Sequence, residues 1–70
     1  MNKSLQKAID AVEGQENLAS AIGCSQSMIS YWLHKAKKGV PSEYCLPIEQ
    51  ATSGKIRREQ LRPDVFGVAQ

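Results

Sequence analysis

The chain has 70 residues and a formal net charge of +2, which suits one small domain and no more. A domain of this size buries only a modest part of its surface, so all of its helices must share one core. No run approaches the roughly 20 apolar residues of a membrane span, and the polar start MNKSLQKAID lacks the apolar core of a signal peptide. Composition therefore predicts a cytoplasmic protein rather than a secreted or membrane protein.

The sequence contains few residues suited to catalysis or metal binding. Its one histidine and two separated cysteines, Cys24 and Cys45, do not have the spacing of a zinc site, and the cysteines are predicted to be reduced and half-buried. There is no glycine-rich phosphate loop and no cluster of carboxylates, and neither cysteine has a base nearby in sequence. We therefore expect no enzyme activity, no metal, no cofactor and no small-molecule substrate.

The first apolar stripe has the i, i+3, i+4, i+7 spacing of an amphipathic helix, and it consists of Leu5, Ala8, Ile9 and Val12. This spacing predicts a helix from about Lys3 to Glu13, which Gly14 ends as the glycine just past the last turn. We expect this helix to pack over the two that follow it.

The stretch from Gln15 to His34, QENLASAIGCSQSMISYWLH, contains two short helical patterns with a break at Gly23. Glycine adopts positive φ at little cost, which suits a sharp turn, and the small Ala19 allows two crossing helices to approach closely. Ser25 stands where its hydroxyl can cap the next helix. These features predict a helix-turn-helix with helices over about 15–22 and 25–36.

The third helix has two different sides. Its inward stripe is Ile29, Trp32 and Leu33, and Trp32 is predicted to be a core residue because it belongs to that stripe. The outward positions are Gln26, Ser27, Ser30, Tyr31 and His34. None of them is acidic and nearly all can form hydrogen bonds, which suits base edges better than a merely solvated face would. An ordinary helical hairpin is the alternative interpretation.

Basic residues gather behind this helix. Residues 1–30 sum to −1, residues 31–54 to +1 and residues 55–70 to +2. Lys35, Lys37 and Lys38 follow the third helix directly, where they can neutralise backbone phosphates and release counterions. Gly39 is predicted to end that helix, and Pro41 prevents its continuation.

Pro47 complicates the next segment, since an interior proline removes an amide donor. We predict one loose turn over Ser42–Cys45, then a helix from about Leu46 to Thr52 that ends at Ser53 and Gly54. The side chains expected to face the core are Tyr44, Ile48 and Ala51.

The tail is predicted to contain a short helix from about Arg58 to Leu61, stopped by Pro63. Arg57 stands at the capping position without a serine or threonine, so this helix is expected to fray. Apolar residues that need burial are Ile56, Leu61, Val65 and Phe66. A β-hairpin after the third helix is disfavoured, because EYCLPIEQATSG lacks period-2 alternation and contains a proline.

The helix-turn-helix resembles that of the phage Cro and repressor proteins. The chain from about Leu5 to Gly67 is similar to small Cro-type or YdaS-like regulators of phages and prophages. The matching features are Ala19, Gly23, Ile29 and Trp32, then GVPSEYCLPIEQATSG, then the ending LRPDVFG. The resemblance implies an all-α, lambda-repressor-like bundle of about five short helices, forming a single domain over residues 1–70. Its motif would span about 15–34, with a dimerisation and tail region over about 42–70.

Residues at the start of a recognition helix enter the major groove, and a glutamine there can pair with N6 and N7 of adenine. The resemblance places base contacts at Gln26 and Ser27, and it suggests that Gln15 bridges Gln26 and a phosphate. Ser30 and Tyr31 lie one turn later, where they are also predicted to contact bases, and Tyr31 can pack against a thymine methyl group.

Contacts to the DNA backbone are expected on both sides of this helix. The N-terminus of the second helix has unpaired amides that suit a phosphate, and the basic segment lies at the other end. The predicted backbone contacts are Gln15, Asn17, Ser25, His34, Lys35, Lys37 and Lys38.

One recognition helix contacts too few base pairs to define a genomic site, so we expect a symmetric homodimer, weak off DNA, on a palindromic double-stranded operator. The predicted dimer interface is Tyr44, Leu46, Val65 and Phe66. A chain this small has room to occlude a promoter and little else, which favours a transcriptional repressor. The alternative function is an antitoxin-like protein-interaction module of the same fold.

Overall fold

The computed structural model describes residues 2–67, and these residues form six helices and no strand. The helices are α1 (Lys3–Ala11), α2 (Gln15–Ile22), α3 (Gln26–His34), α4 (Ser42–Ala51), α5 (Arg58–Leu61) and α6 (Pro63–Phe66). The all-α prediction is confirmed. No helix within residues 2–67 is both long enough and apolar enough to cross a membrane.

One core joins α1 to α5 with the segments between them. Its buried apolar side chains are Leu5, Ala8, Ile9, Leu18, Ala19, Ile29, Trp32, Leu33, Val40, Cys45, Ile48, Ile56 and Leu61. The predicted stripes are therefore confirmed as core at Leu5, Ala8 and Ile9 of the first helix and at all three positions of the third, while Val12 is partly buried and packs against that core. Trp32 is 4% exposed and packs against Tyr44, with the ring centroids 5.0 Å apart.

The residues that cap the two ends of α1 differ from the prediction. Asn2 caps its start, since the Asn2 Oδ1 accepts a hydrogen bond from the Leu5 amide at 2.9 Å. At its end Glu13, with φ +68°, adopts the left-handed conformation that we assigned to Gly14. The Gly14 amide instead donates to the Ile9 carbonyl at 2.9 Å, which closes the last turn as a Schellman motif. The helix thus ends at Ala11, two residues earlier than expected.

The turn between α2 and α3 has the predicted construction. Gly23 has φ +79°, and the Ala19 carbonyl accepts from the amides of Gly23 at 2.9 Å and Cys24 at 3.0 Å. Ser25 is extended, and its Oγ accepts from the Met28 amide at 3.2 Å. Such a cap stabilises a helix by about 1 kcal/mol. Together these bonds fix where α3 leaves the turn.

Helix α3 ends at His34, so the prediction that Gly39 ends it was wrong. The Tyr31 carbonyl accepts from the amides of Lys35 at 2.8 Å and Ala36 at 3.0 Å, which closes the helix before the lysines. Gly39 has φ +79° and belongs to the loop that follows.

Helix α4 is continuous from Ser42 to Ala51 with Pro47 inside it, which corrects the predicted loose turn over Ser42–Cys45. Pro47 removes only the amide that would bond to the carbonyl of Glu43. Glu43 is exposed in the first turn, so water can satisfy that carbonyl. Burial of Cys45 and Ile48, both 0% exposed, favours the helical register over a turn.

The short tail helices are supported by bonds to side chains. The amide of Arg57 donates to Gln60 Oε1 at 2.8 Å, and the amide of Arg58 donates to Glu49 Oε1 at 2.9 Å. These acceptors replace the missing serine or threonine cap of α5. Helix α5 has the predicted bounds and ends before the non-helical Arg62 that precedes Pro63. Pro63 also begins α6, because its fixed φ suits a first helical position.

Thr52 is the buried polar residue that ties α4 to the tail. Its hydroxyl donates to the Ile48 carbonyl at 3.0 Å and accepts from the Ile56 amide at 3.2 Å, and the residue is 3% exposed. These bonds hold Ile56 where its side chain enters the core.

We expect Thr52→Val to lower the free energy of unfolding by about 1–3 kcal/mol, because the buried Ile56 amide loses its acceptor. Urea unfolding measures the loss. Thr52→Ser keeps the hydroxyl and should retain most of this contribution. Equal losses in the two variants would contradict the assigned role of the hydroxyl.

Candidate nucleic-acid interface

The two sides of α3 differ sharply in burial. Ile29, Trp32 and Leu33 are 0%, 4% and 3% exposed and fix the helix to the core. Gln26, Ser27 and Tyr31 are exposed on the opposite side, and Ser30 is half-buried. The four residues predicted to contact bases therefore project from one helix whose other side is immobilised by packing.

A shallow groove runs along this outer side. It is lined by Ser27, Ser30, Tyr31, His34 and Lys35, which follow one another at the i, i+3, i+4, i+7 and i+8 positions of a helical face. Met28 beside it is 38% exposed and Tyr31 is 56% exposed. Met28 therefore lies at the surface rather than in the core.

The charged residues of the sequence segment around α3 have one sign. No aspartate or glutamate occurs between Glu16 and Glu43. Lys35, Lys37 and Lys38 are all exposed directly after the helix. A polyanion approaching α3 therefore meets hydrogen-bonding side chains first and cations at the flank, without carboxylates of the intervening chain to repel it.

The segment that carries these cations, residues 35–40, is called the lysine loop here. On one side, the Asn2 amide donates to the Leu33 carbonyl at 3.1 Å. The Asn2 Nδ2 lies only 2.7 Å from the place where a Cβ at position 39 would stand. Gly39 is thus favoured by its positive φ, and a Cβ there would require the Asn2 side-chain amide to shift.

On the other side, Arg62 joins the lysine loop to the tail. Its Nη1 donates to the Val40 carbonyl at 3.0 Å, while its Nε and Nη2 donate to the two carboxylate oxygens of Asp64, each at 2.8 Å. This fork geometry is the strong form of an arginine–carboxylate pair. It lowers the pKa of Asp64 from 3.8 to about 2, chiefly through the hydrogen bonds from Arg62.

The lysine loop, Asn2 and the α5–α6 junction together enclose a cleft beside the end of α3. Its lining includes His34, the three lysines, Leu61 and Asp64. Sequence reasoning did not assign Asn2, Arg62 or Asp64 to the site. The LRPD run contains both Arg62 and Asp64, but in sequence it indicated only the family resemblance.

The other residues predicted to contact the DNA backbone differ in burial and in the hydrogen bonds they already make. Gln15 is half-buried at the first position of α2, and Ser25 is exposed with its Oγ already accepting from Met28. The Asn17 Nδ2 donates to the carbonyls of Val12 at 2.9 Å and Glu13 at 3.3 Å. Because both amide hydrogens of Asn17 have acceptors within the chain, we leave Asn17 out of the proposed phosphate contacts.

The four residues predicted at the dimer interface differ in exposure. Leu46 is 44% and Val65 50% exposed. Tyr44 is half-buried against Trp32. Phe66 is half-buried, with the Arg58 guanidinium 5.8 Å from its ring centroid. Leu46 and Val65 therefore offer the larger free apolar surface.

Both cysteines are free thiols. Cys24 lies half-buried in the turn, as predicted, whereas Cys45 is fully buried, with its Sγ 3.5 Å from the Pro41 carbonyl. Burial raises the pKa of each thiol, which keeps the reactive thiolate scarce at neutral pH.

Two comparisons with known proteins identify the family of the chain. The family described as "Bacterial toxin YdaS" matches residues 5–70. The chain belongs to the YdaS family. The protein named "Putative transcriptional regulator YdaS", of Escherichia coli strain K12, is 38% identical over 64 residues. That match covers 91% of this chain and 64% of the relative, so the chain spans somewhat less than two thirds of the relative's length. No solved structure matches the chain significantly.

The resemblance to YdaS-like regulators is thus confirmed. The family name and the name of the E. coli relative differ in kind, since the first describes a toxin and the second a regulator.

Asp64 is expected to make the stability of this YdaS-family chain depend on pH in the acidic range. Its pKa is lowered in the folded state, so the stabilisation from its pairing with Arg62 is present above about pH 4 and is lost as the pH falls toward 2. The unfolding free energy of wild type should therefore fall more steeply over that window than that of Asp64→Asn. Urea unfolding at stepped pH measures both, and parallel curves would contradict the assignment.

Proposed function

We propose that this chain is a sequence-specific, double-stranded DNA-binding protein that represses transcription. The observation that carries the proposal is the outer side of α3, where Gln26, Ser27, Ser30 and Tyr31 project from a helix fixed by Trp32. Side chains of these types form hydrogen bonds and apolar contacts with base edges. The relative named as a transcriptional regulator supports the same function.

The proposed geometry places the N-terminal half of α3 in the major groove. Gln26 lies at the first position of α3 and would pair with adenine through its carboxamide. Gln15 and Ser25 at one side, and His34 with the lysine loop at the other, would contact the phosphates that border the groove. Arg62 acts as a positioning residue, because it bonds the Val40 carbonyl at the end of the lysine loop to the tail. Asn2 bonds the Leu33 carbonyl in α3, just before that loop.

We propose that two copies bind a palindromic operator and exclude other proteins from a promoter. One α3 contacts too few base pairs for useful specificity, and a two-fold dimer doubles the site. The exposed Leu46 and Val65 supply apolar surface on α4 and α6, elements separate from α3. Occlusion of a promoter requires nothing beyond DNA binding and this pairing.

A protein-interaction module of the same fold is the second candidate. The family's description as a bacterial toxin favours it, as does the apolar surface of Leu46 and Val65. The α3 face favours DNA instead, because its polar side chains and the neighbouring lysines suit a polyanion better than a protein surface. The two functions are also compatible within one chain.

The first experiment compares wild type and Gln26→Ala in mobility shifts over a range of salt, using the DNA beside the chain's own gene. We expect the variant to lose about 1–3 kcal/mol on the specific site while nonspecific binding survives, because only the base contact is removed. Gln6→Ala, which truncates a glutamine of α1 that donates to Asp10, is the matched control and should bind as wild type does. Weak binding without sequence preference by all three proteins would refute the proposed function.

Pairing is tested separately by sedimentation at micromolar concentration. We expect wild type to self-associate and Val65→Asp to do so less, because a carboxylate at a half-exposed apolar site opposes burial in an interface. Met28→Ser alters the exposed apolar surface of α3 and should leave the association unchanged. A wild-type protein that remains monomeric both free and on its operator would contradict the proposed dimer.

A further inference from the structure

The groove on the outer side of α3 has a shape that the helix sequence explains. Ser27 and Ser30 are the small residues of its lining, and the larger Tyr31, His34 and Lys35 stand around them. Large side chains beside small ones leave a recess along the helix. The Tyr31 ring, 56% exposed, forms an apolar wall of that recess.

The residue types absent from α3 also bear on which bases it can contact. Neither arginine nor lysine occurs from Gln26 to His34, and these are the residues that most often contact guanine through O6 and N7. Gln26 suits adenine instead. Thymine, the partner of adenine, presents in the major groove an acceptor oxygen and the apolar C5-methyl group.

We propose that the recess between Ser27, Ser30 and Tyr31 receives the C5-methyl group of a thymine, so that the operator half-site is rich in A·T pairs opposite α3. This inference rests on the proposed function, and it names the base chemistry that the same surface selects. The methyl group packs against the Tyr31 ring, while a serine hydroxyl can donate to the thymine O4. Lys35 at the end of the recess contacts the neighbouring phosphate.

The test removes single methyl groups from the DNA. A preferred duplex is first selected from random sequences, and each thymine of a half-site is then replaced in turn by deoxyuridine, which lacks only the C5-methyl group. We expect one such replacement to weaken wild-type binding by about fourfold, the effect of burying one methyl-sized group. Thymines outside the protected region serve as controls on the DNA.

Two variants of Tyr31 separate the ring from its hydroxyl. Tyr31→Ala should bind the thymine duplex less well than wild type and should bind the thymine and uracil duplexes equally. Tyr31→Phe keeps the ring and should keep the fourfold sensitivity. Because Tyr31 is more than half exposed, neither change removes a core contact, and thermal melts of both variants verify the fold.

The outcomes distinguish this inference from the function on which it rests. A selected half-site without thymine opposite α3, or selective binding that no uracil replacement weakens, overturns the methyl contact and leaves DNA recognition standing. Equal sensitivity to uracil in wild type and Tyr31→Ala also overturns it. Binding to every duplex alike refutes the proposed function itself.

Discussion

The orientation of α3 depends on the Ala19 carbonyl, which accepts hydrogen bonds from both the Gly23 and Cys24 amides. This arrangement needs a left-handed residue after α2, and glycine provides it without steric cost. Ser25 then satisfies the Met28 amide at the start of α3. The turn and the burial of Trp32 therefore fix the direction of the helix together. A surface that must fit a DNA groove requires this kind of fixed support.

The rest of the chain extends the support to the flank of α3. Asn2 approaches the lysine loop from the N-terminal side, and Arg62 bonds to Val40 from the tail. Arg62 thus holds the end of the loop that carries the three lysines. Fixing a loop before binding lowers the conformational entropy lost when it meets phosphates. The tail, which looks peripheral in sequence, thereby contributes to the candidate interface through Arg62 and Asp64.

The tail can do this because polar side chains anchor it. Thr52 bonds to the Ile56 amide, and Glu49 caps α5 from α4. Helices of four residues are not stable alone, so α5 and α6 depend on these bonds and on burial of Leu61. The same chain presents polar side chains on α3 and apolar Leu46 and Val65 elsewhere. The polar face of α3 and these apolar residues therefore lie on different helices.

The sequence by itself determined the features that arise locally. Apolar spacing predicted α1 to α3, and Gly23 with Ser25 predicted their turn, because periodicity, positive φ and capping act within a few residues. Only the tertiary structure decided the path through Pro47, where burial of Cys45 and Ile48 outweighs one lost amide bond. It also decided the positions of Asn2 and Arg62, since Arg62 meets a carbonyl 22 residues away. No local pattern encodes such a contact, because the partners come together only after the core has formed.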